Sequence, residues 1–191
     1  MVVQEPLPAV AVSPMNPAVQ ASTRELCDDP NGNAHTMYKR RTVGAKRDPV
    51  KQWALPDRVF FAAGACHMLA YAFLDRYPDS GFEPMWIRPR MGHTGNHIVV
   101  VRRGLVFDYH GFSEWAHYWS HTIRRADQRW PGWAADVVAV GKQALVSRHH
   151  ARDYEGLWMK EPQEFLFDPM ARAHRYLERF PAPSAVSTGA E

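Results

Sequence analysis

Cysteine is scarce in this chain, with two residues in 191. Cys27 lies in a polar Cys-Asp-Asp-Pro-Asn-Gly stretch and Cys66 in an apolar one, which argues against a disulfide framework. Long apolar runs are also missing, and with them any stretch that could span a membrane as a helix. The N-terminus lacks the basic-then-apolar order of a secretory signal, since Gln4, Glu5 and Pro6 stand where that order would begin. Charge of one sign is not in large excess: 23 Lys and Arg face 20 Asp and Glu. The basic residues cluster only as Lys39-Arg40-Arg41, Arg102-Arg103 and Arg124-Arg125, short groups that read as solvated surface and disfavour a nucleic-acid partner. These absences lead to the expectation of a soluble cytoplasmic protein with no membrane partner. Signal-less secretion as an effector and association with a phage particle remain alternatives.

An apolar share of 46% in 191 residues suffices for one domain with loose ends. Residues 1–55 carry Pro6, Pro8, Pro14, Pro17 and Pro30 without sustained periodicity and read as a mostly irregular arm, whose last part through Trp53 can still pack on the domain. Residues 56–180 read as a single α+β domain, and residues 181–191 as a disordered tail.

Within the domain, Cys66, Leu69, Ala70, Phe73 and Leu74 repeat at helical spacing, so a helix is expected over 65–76, ended by Tyr77-Pro78-Asp79-Ser80-Gly81. Strands are expected over 84–88, 96–101 and 105–109, the last two forming a hairpin. A helix from Ser113 to about Ala126 follows, with Ser113 as its cap, and then a third core strand over 136–140. Helices over about 142–149 and 162–178, the latter interrupted at Pro169, complete the order of an α+β fold.

Cys66 lies in the first turn of its helix, where unpaired backbone N–H groups and the positive end of the helix dipole favour a thiolate. A thiol nucleophile needs a base, and the base needs a third group to orient it. Counting along the hairpin supplies both. With a two-residue loop at Arg102-Arg103, His97 falls directly opposite Asp108; with the loop at Arg103-Gly104 the two are diagonal on the same face; a three-residue loop separates them. Cys66, His97 and Asp108 are therefore the candidate catalytic residues. A buried cysteine of the core and a surface His97–Asp108 pair are the alternative reading of the same residues.

Gly-Ala-Cys-His at a helix start, then Asn-His-Ile-Val-Val-Val, then Gly-Leu-Val-Phe-Asp-Tyr-His-Gly, in this order, resembles the papain-like cysteine-enzyme superfamily, in particular its transglutaminase-like and arylamine N-acetyltransferase branches. The resemblance covers residues 59–112. It implies a papain-like fold, with an N-terminal catalytic-cysteine helix packed on a small antiparallel sheet. It also implies Cys66 as nucleophile, His97 as general base and then acid, and Asp108 as the group that fixes the imidazole tautomer. No Gln or Asn ahead of the cysteine reads as an oxyanion-stabilising side chain, so that role is expected of backbone N–H groups. The activity expected is hydrolysis of an amide or related acyl bond in a peptide, protein or small amide through a thioester, with no cofactor. Acyl transfer by the same triad is an alternative.

His110, His117 and His121 invite a metal reading because positions four apart share a helix face, but no acidic helper joins them in a known metal-binding pattern, and no metal is expected. His67, next to Cys66, is expected to point away from it around the helix. A non-catalytic alternative remains, in which Trp86, Arg88, Arg90, Trp130 and Trp133 are contact anchors of a protein-binding module.

Overall fold

The computed structural model describes residues 44–186. Asp48 accepts from the backbone N–H groups of Val50 and Lys51 at 3.0 and 3.1 Å, and Pro49 follows it with its φ already set for a helix, so Pro49–Trp53 (α1) begins there. The end of the expected arm is thus helical: Ala45–Arg47 is a 3₁₀ turn and Gln52 and Leu55 are buried. The rest of the expected arm lies outside the described residues. Asp57–Ala62 (α2) buries Val59, Phe60 and Phe61, and leads through Gly64, whose φ of 115° is open to glycine, into Cys66–Arg76 (α3).

Five strands then build an antiparallel sheet: Glu83–Pro89 (β1), His97–Arg102 (β2), Leu105–Asp108 (β3), Gly111–Glu114 (β4) and Ala135–Ala139 (β5), in the order β4-β3-β2-β1-β5. Alternation of side chains divides them between two layers. Trp86, Ile98, Val100, Leu105 and Phe107 share a core with α3, where Phe73 stacks on Phe107 at 4.6 Å. Ile87, Val99 and Val106 pack on the other face with Trp133 and with the apolar side of Trp115–Arg129 (α4), which contributes Trp115, Tyr118, Trp119 and Ile123. A short helix, Arg148–Ala151 (α5), precedes Pro169–Leu177 (α6), which packs on α3 and buries Ala173, Tyr176 and Leu177. All described residues fall within one compact unit of the chain. No helix among them is long and apolar enough to cross a membrane. The architecture is α+β.

Several elements differ from expectation. Ser113 does not cap a helix; it sits in β4 opposite Val106, and α4 begins at Trp115 with no side-chain cap. The expected core strand β5 is an edge strand, with Val137 39% exposed and Asp136 paired to Arg88 and Arg90. Such charges on an edge discourage pairing with another chain. The helix expected over 142–149 is a 3₁₀ turn, Lys142–Leu145, followed by α5, and Pro169 starts a helix rather than interrupting one. Residues 183–185 of the expected tail form a 3₁₀ turn with Pro183 buried, and Arg102 donates to the Pro183 carbonyl at 3.3 Å. Residues 187–191 lie outside the described residues.

The β2–β3 turn is Arg103-Gly104, with Arg102 opposite Leu105. Both turn residues have positive φ, 44° and 80°, which matches the strand twist, and Arg103 is the one non-glycine with positive φ among the described residues. A left-handed conformation costs an ordinary residue about 1–2 kcal/mol, and asparagine tolerates it better. Arg103→Asn is therefore expected to raise the unfolding free energy by about 0.5–1 kcal/mol. An unchanged or lower midpoint in urea would mean that the exposed Arg103 side chain stabilises the turn through some other contact.

Candidate active site

Three elements place the three sequence-predicted side chains. Cys66 is the first residue of α3, and no side chain caps that helix end. The positive end of the helix dipole therefore acts on the thiol itself. His97 opens β2 and Asp108 closes β3. With the turn at Arg103-Gly104, the register puts Asp108 diagonal to His97, the second of the two arrangements that keep the pair on one face. The His97 Nε2 stands 3.3 Å from Asp108 Oδ2. A carboxylate only accepts, so Nε2 carries the hydrogen and Nδ1 is left for the thiol. Cys66, Ile98, Phe107, Asp108 and Tyr109, with Leu69 and Ala70 of α3, line one narrow crevice. The Cys66 side chain is half-buried. Cys27 lies outside the described residues.

The charges of the three groups support one another. Burial pushes the Cys66 thiol up, but the His97 charge and hydrogen bonds from His67 and His97 outweigh it and hold the thiol well below its ordinary range. Burial likewise disfavours the His97 imidazolium, yet the Cys66 charge and the hydrogen bond to Asp108 raise its pKa. Asp108, 5% exposed, resists the upward push of burial through hydrogen bonds with His110 and His97, and stays far below the carboxylate range. The signs of the two shifts are therefore those of a thiolate–imidazolium pair.

Other residues hold this arrangement, and the sequence pattern gave none of them that role. Asp108 Oδ1 accepts from the His110 backbone N–H at 2.7 Å and lies 3.4 Å from His110 Nδ1. The Tyr118 hydroxyl, buried and further opposed in its ionisation by the Asp108 charge, has its pKa raised well above the ordinary value. The Tyr109 ring meets His97 edge-on at 5.4 Å, and its carbonyl accepts from the Tyr176 hydroxyl of α6 at 2.8 Å. Ahead of His97, the loop is fixed by two indoles, Trp86 donating to Asn96 Oδ1 at 2.9 Å and Trp133 to the Thr94 carbonyl at 2.8 Å.

Gln52 does stand ahead of the cysteine. It is 2% exposed, its Oε1 accepts from Lys160 Nζ at 2.7 Å, and its Nε2 lies 3.6 Å from where a Cβ on Gly64 would stand. That Nε2 has no hydrogen-bond partner among the described residues. Fourteen positions separate Gln52 from Cys66, with α2 between them, and no periodicity links the two. His67 also differs from expectation: it is buried, donates to the Lys160 carbonyl at 2.9 Å, and interacts with the Cys66 thiol.

The rival groupings separate. No set of three His, Cys, Asp or Glu side chains among the described residues could hold a metal; His110 turns to Asp108, while His117 and His121 stack at 6.5 Å on α4. Trp86 and Trp133, read as contact anchors, are 2% and 5% exposed and belong to the two cores, and Arg88 and Arg90 pair with Asp136. The chain matches no family model, no curated protein and no solved structure with which it was compared.

Proposed function

We propose that the protein is a papain-like thiol hydrolase acting on an amide or related acyl bond, with Cys66 as nucleophile, His97 as base and acid, and Asp108 as the orienting group. The observation that carries this reading is the mutual effect of Cys66 and His97, thiol lowered and imidazole raised, with His97 held at 3.3 Å by a buried carboxylate. A cysteine-bearing helix packed on an antiparallel sheet supports the papain-like assignment.

In the first half-reaction the Cys66 thiolate attacks the acyl carbon, a C–S bond forms, and the carbonyl π pair moves to oxygen. Backbone N–H groups of the first turn of α3 stabilise that oxyanion. The pair then returns, the C–N bond breaks, and the amine leaves with the proton of the His97 imidazolium. In the second half-reaction neutral His97 takes a proton from water, the hydroxide attacks the thioester, and the C–S bond breaks to give the acid and regenerate the thiolate–imidazolium pair. Asp108 keeps Nε2–H in place throughout, so that Nδ1 faces the sulfur. With an amine in place of water the same steps transfer the acyl group.

The test is a screen of mixed peptides and aryl amides, with intact-mass detection of an acyl adduct on the protein. Turnover is expected to fall at least about a thousandfold in Cys66→Ser, and the adduct to map to Cys66. Turnover that survives Cys66→Ser, or an adduct elsewhere, overturns the reading.

A further inference from the structure

Tyr176 is a buried titratable group with no part in the reaction steps. It lies in the last turn of α6, is 4% exposed, and packs its ring against Phe61 at 4.9 Å and Phe180 at 5.4 Å. Its hydroxyl donates to the Tyr109 carbonyl at 2.8 Å. The peptide unit that supplies this carbonyl joins Tyr109 to His110, and its N–H donates to Asp108 Oδ1 at 2.7 Å. A trans peptide is planar and directs its C=O and N–H to opposite sides, so one rotation of that plane would break both bonds. Asp108 faces Gly111 across the β3–β4 turn, which leaves Tyr109 and His110 as the two residues between the strands. Phe180 holds the same turn from a second side. Its ring meets Phe107 edge-on at 5.2 Å and lies 2.9 Å from where a Cβ on Gly111 would stand. With Oδ1 tied to the turn, the plane of the Asp108 carboxylate is set, and with it the direction of Oδ2, which stands 3.3 Å from His97 Nε2.

We propose that Tyr176 is a positioning residue for Asp108, acting through the peptide unit between Tyr109 and His110. The inference rests on the reading of Asp108 as the group that orients His97. It deepens that reading by letting α6, which contributes no member of the triad, set the triad's geometry. Without the hydroxyl, the Tyr109 carbonyl loses this donor and the peptide plane is free to turn, taking its N–H away from Oδ1. A misplaced carboxylate supports the His97 imidazolium less, and the thiolate paired with it is then lost at a higher pH.

Tyr176→Phe removes one oxygen and leaves the ring to pack on Phe61 and Phe180. Cys66 alkylation by iodoacetamide is followed by mass spectrometry from about pH 5 to 9, with Cys27 as the internal reference. The acid arm of the Cys66 profile is expected to move up by about half a pH unit in Tyr176→Phe, which slows alkylation at pH 6 by about threefold. In an Asp108→Asn background the same replacement is expected to move the profile by no more than about a tenth of a unit, because the carboxylate through which the hydroxyl acts is gone. Ala173→Gly, which loosens α6 and leaves the Tyr176 hydroxyl in place, is expected to lower Tm and keep the parent's profile. A parent-like profile in Tyr176→Phe overturns the proposal. So does a shift that persists undiminished beside Asp108→Asn, or an equal shift in Ala173→Gly. A Tyr176→Phe chain that fails to fold overturns it as well, since the hydroxyl would then support the fold rather than the site. The catalytic reading is judged separately, by the parent against His97→Ala: if those two differ while Tyr176→Phe matches the parent, only the role of Tyr176 falls.

Discussion

His97→Ala is expected to slow alkylation of Cys66 at pH 6 by up to about two orders of magnitude, while leaving Cys27 unaffected. The reasoning follows from the signs of the shifts. The thiol's pKa is lowered, so thiolate persists as pH falls until that lowered value is crossed; the pKa of His97 is raised, so its proton persists as pH rises beyond the ordinary 6.5 or so. The pair thus exists across a window that extends to the acid side of an ordinary thiol, near 8.5, where at pH 6 only about 0.3% would be ionised. Removing His97 takes away the largest influence that lowers the thiol's pKa and leaves burial, which raises it, opposed by His67. The lower basicity of an activated thiolate makes it a weaker nucleophile per molecule, so the rate should change by less than the ionised fraction does. Turnover should fall further, by about 10²–10⁴, because the leaving amine loses its acid. Equal alkylation profiles in parent and variant would sever Cys66 from His97. Asp108→Asn should lie between the two, since the imidazole stays but its orienting charge is gone.

The largest expected loss of stability comes from a residue away from the chemistry. Arg172 of α6 is 9% exposed and donates through Nε to Asp57 at 2.8 Å, and through its two other nitrogens to the Trp53 and Leu55 carbonyls. Its guanidinium lies 4.1 Å from the centre of the Phe60 ring and 4.8 Å from that of Trp53. One side chain therefore satisfies the carbonyls at the end of α1, pairs with the first residue of α2, and fills the space between two rings. Arg172→Met keeps much of the volume but strands the buried Leu55 carbonyl, at a cost of about 3 kcal/mol. For a chain of this length that corresponds to a drop of roughly 10 °C in Tm. Arg172→Lys should recover little of it, since a single ammonium cannot reach three acceptors in a fork. A loss under about 1 kcal/mol for Arg172→Met would mean that α1 and α2 hold their positions without this anchor.

Both results bear on how the site was legible. Cys66, His97 and Asp108 could be named from local rules: helical spacing placed Cys66 at a helix start, and the count along a tight hairpin kept His97 and Asp108 on one face for either two-residue loop. The hairpin left its own register open. The positive φ of Arg103 and Gly104 selected the diagonal one, and a turn with arginine in its first central position carries little sequence signal for that choice. β4 was missed because Gly111-Phe112-Ser113-Glu114 is short and lies against a helical pattern, while Ser113 mimics a cap. The residues that brace the site were missed for a different reason. Gln52 and Lys160 lie far from Cys66 along the chain, and no periodicity joins them.

By itself, then, the sequence determined the α+β character and the helix that carries Cys66, and it offered His97 and Asp108 as a pair in two of three short registers, because each depends on spacing within some fifteen residues and on side-chain chemistry that does not change with context. Tertiary structure alone decided that β5 is an edge, that Trp86 and Trp133 are core residues which pin the loop before His97, that Tyr118 and His110 serve Asp108, and that His67 is buried against the Lys160 carbonyl. For β5, Trp133 and His67 the partner comes from a distant part of the chain, and in every case burial determines whether a polar group finds water or a protein partner.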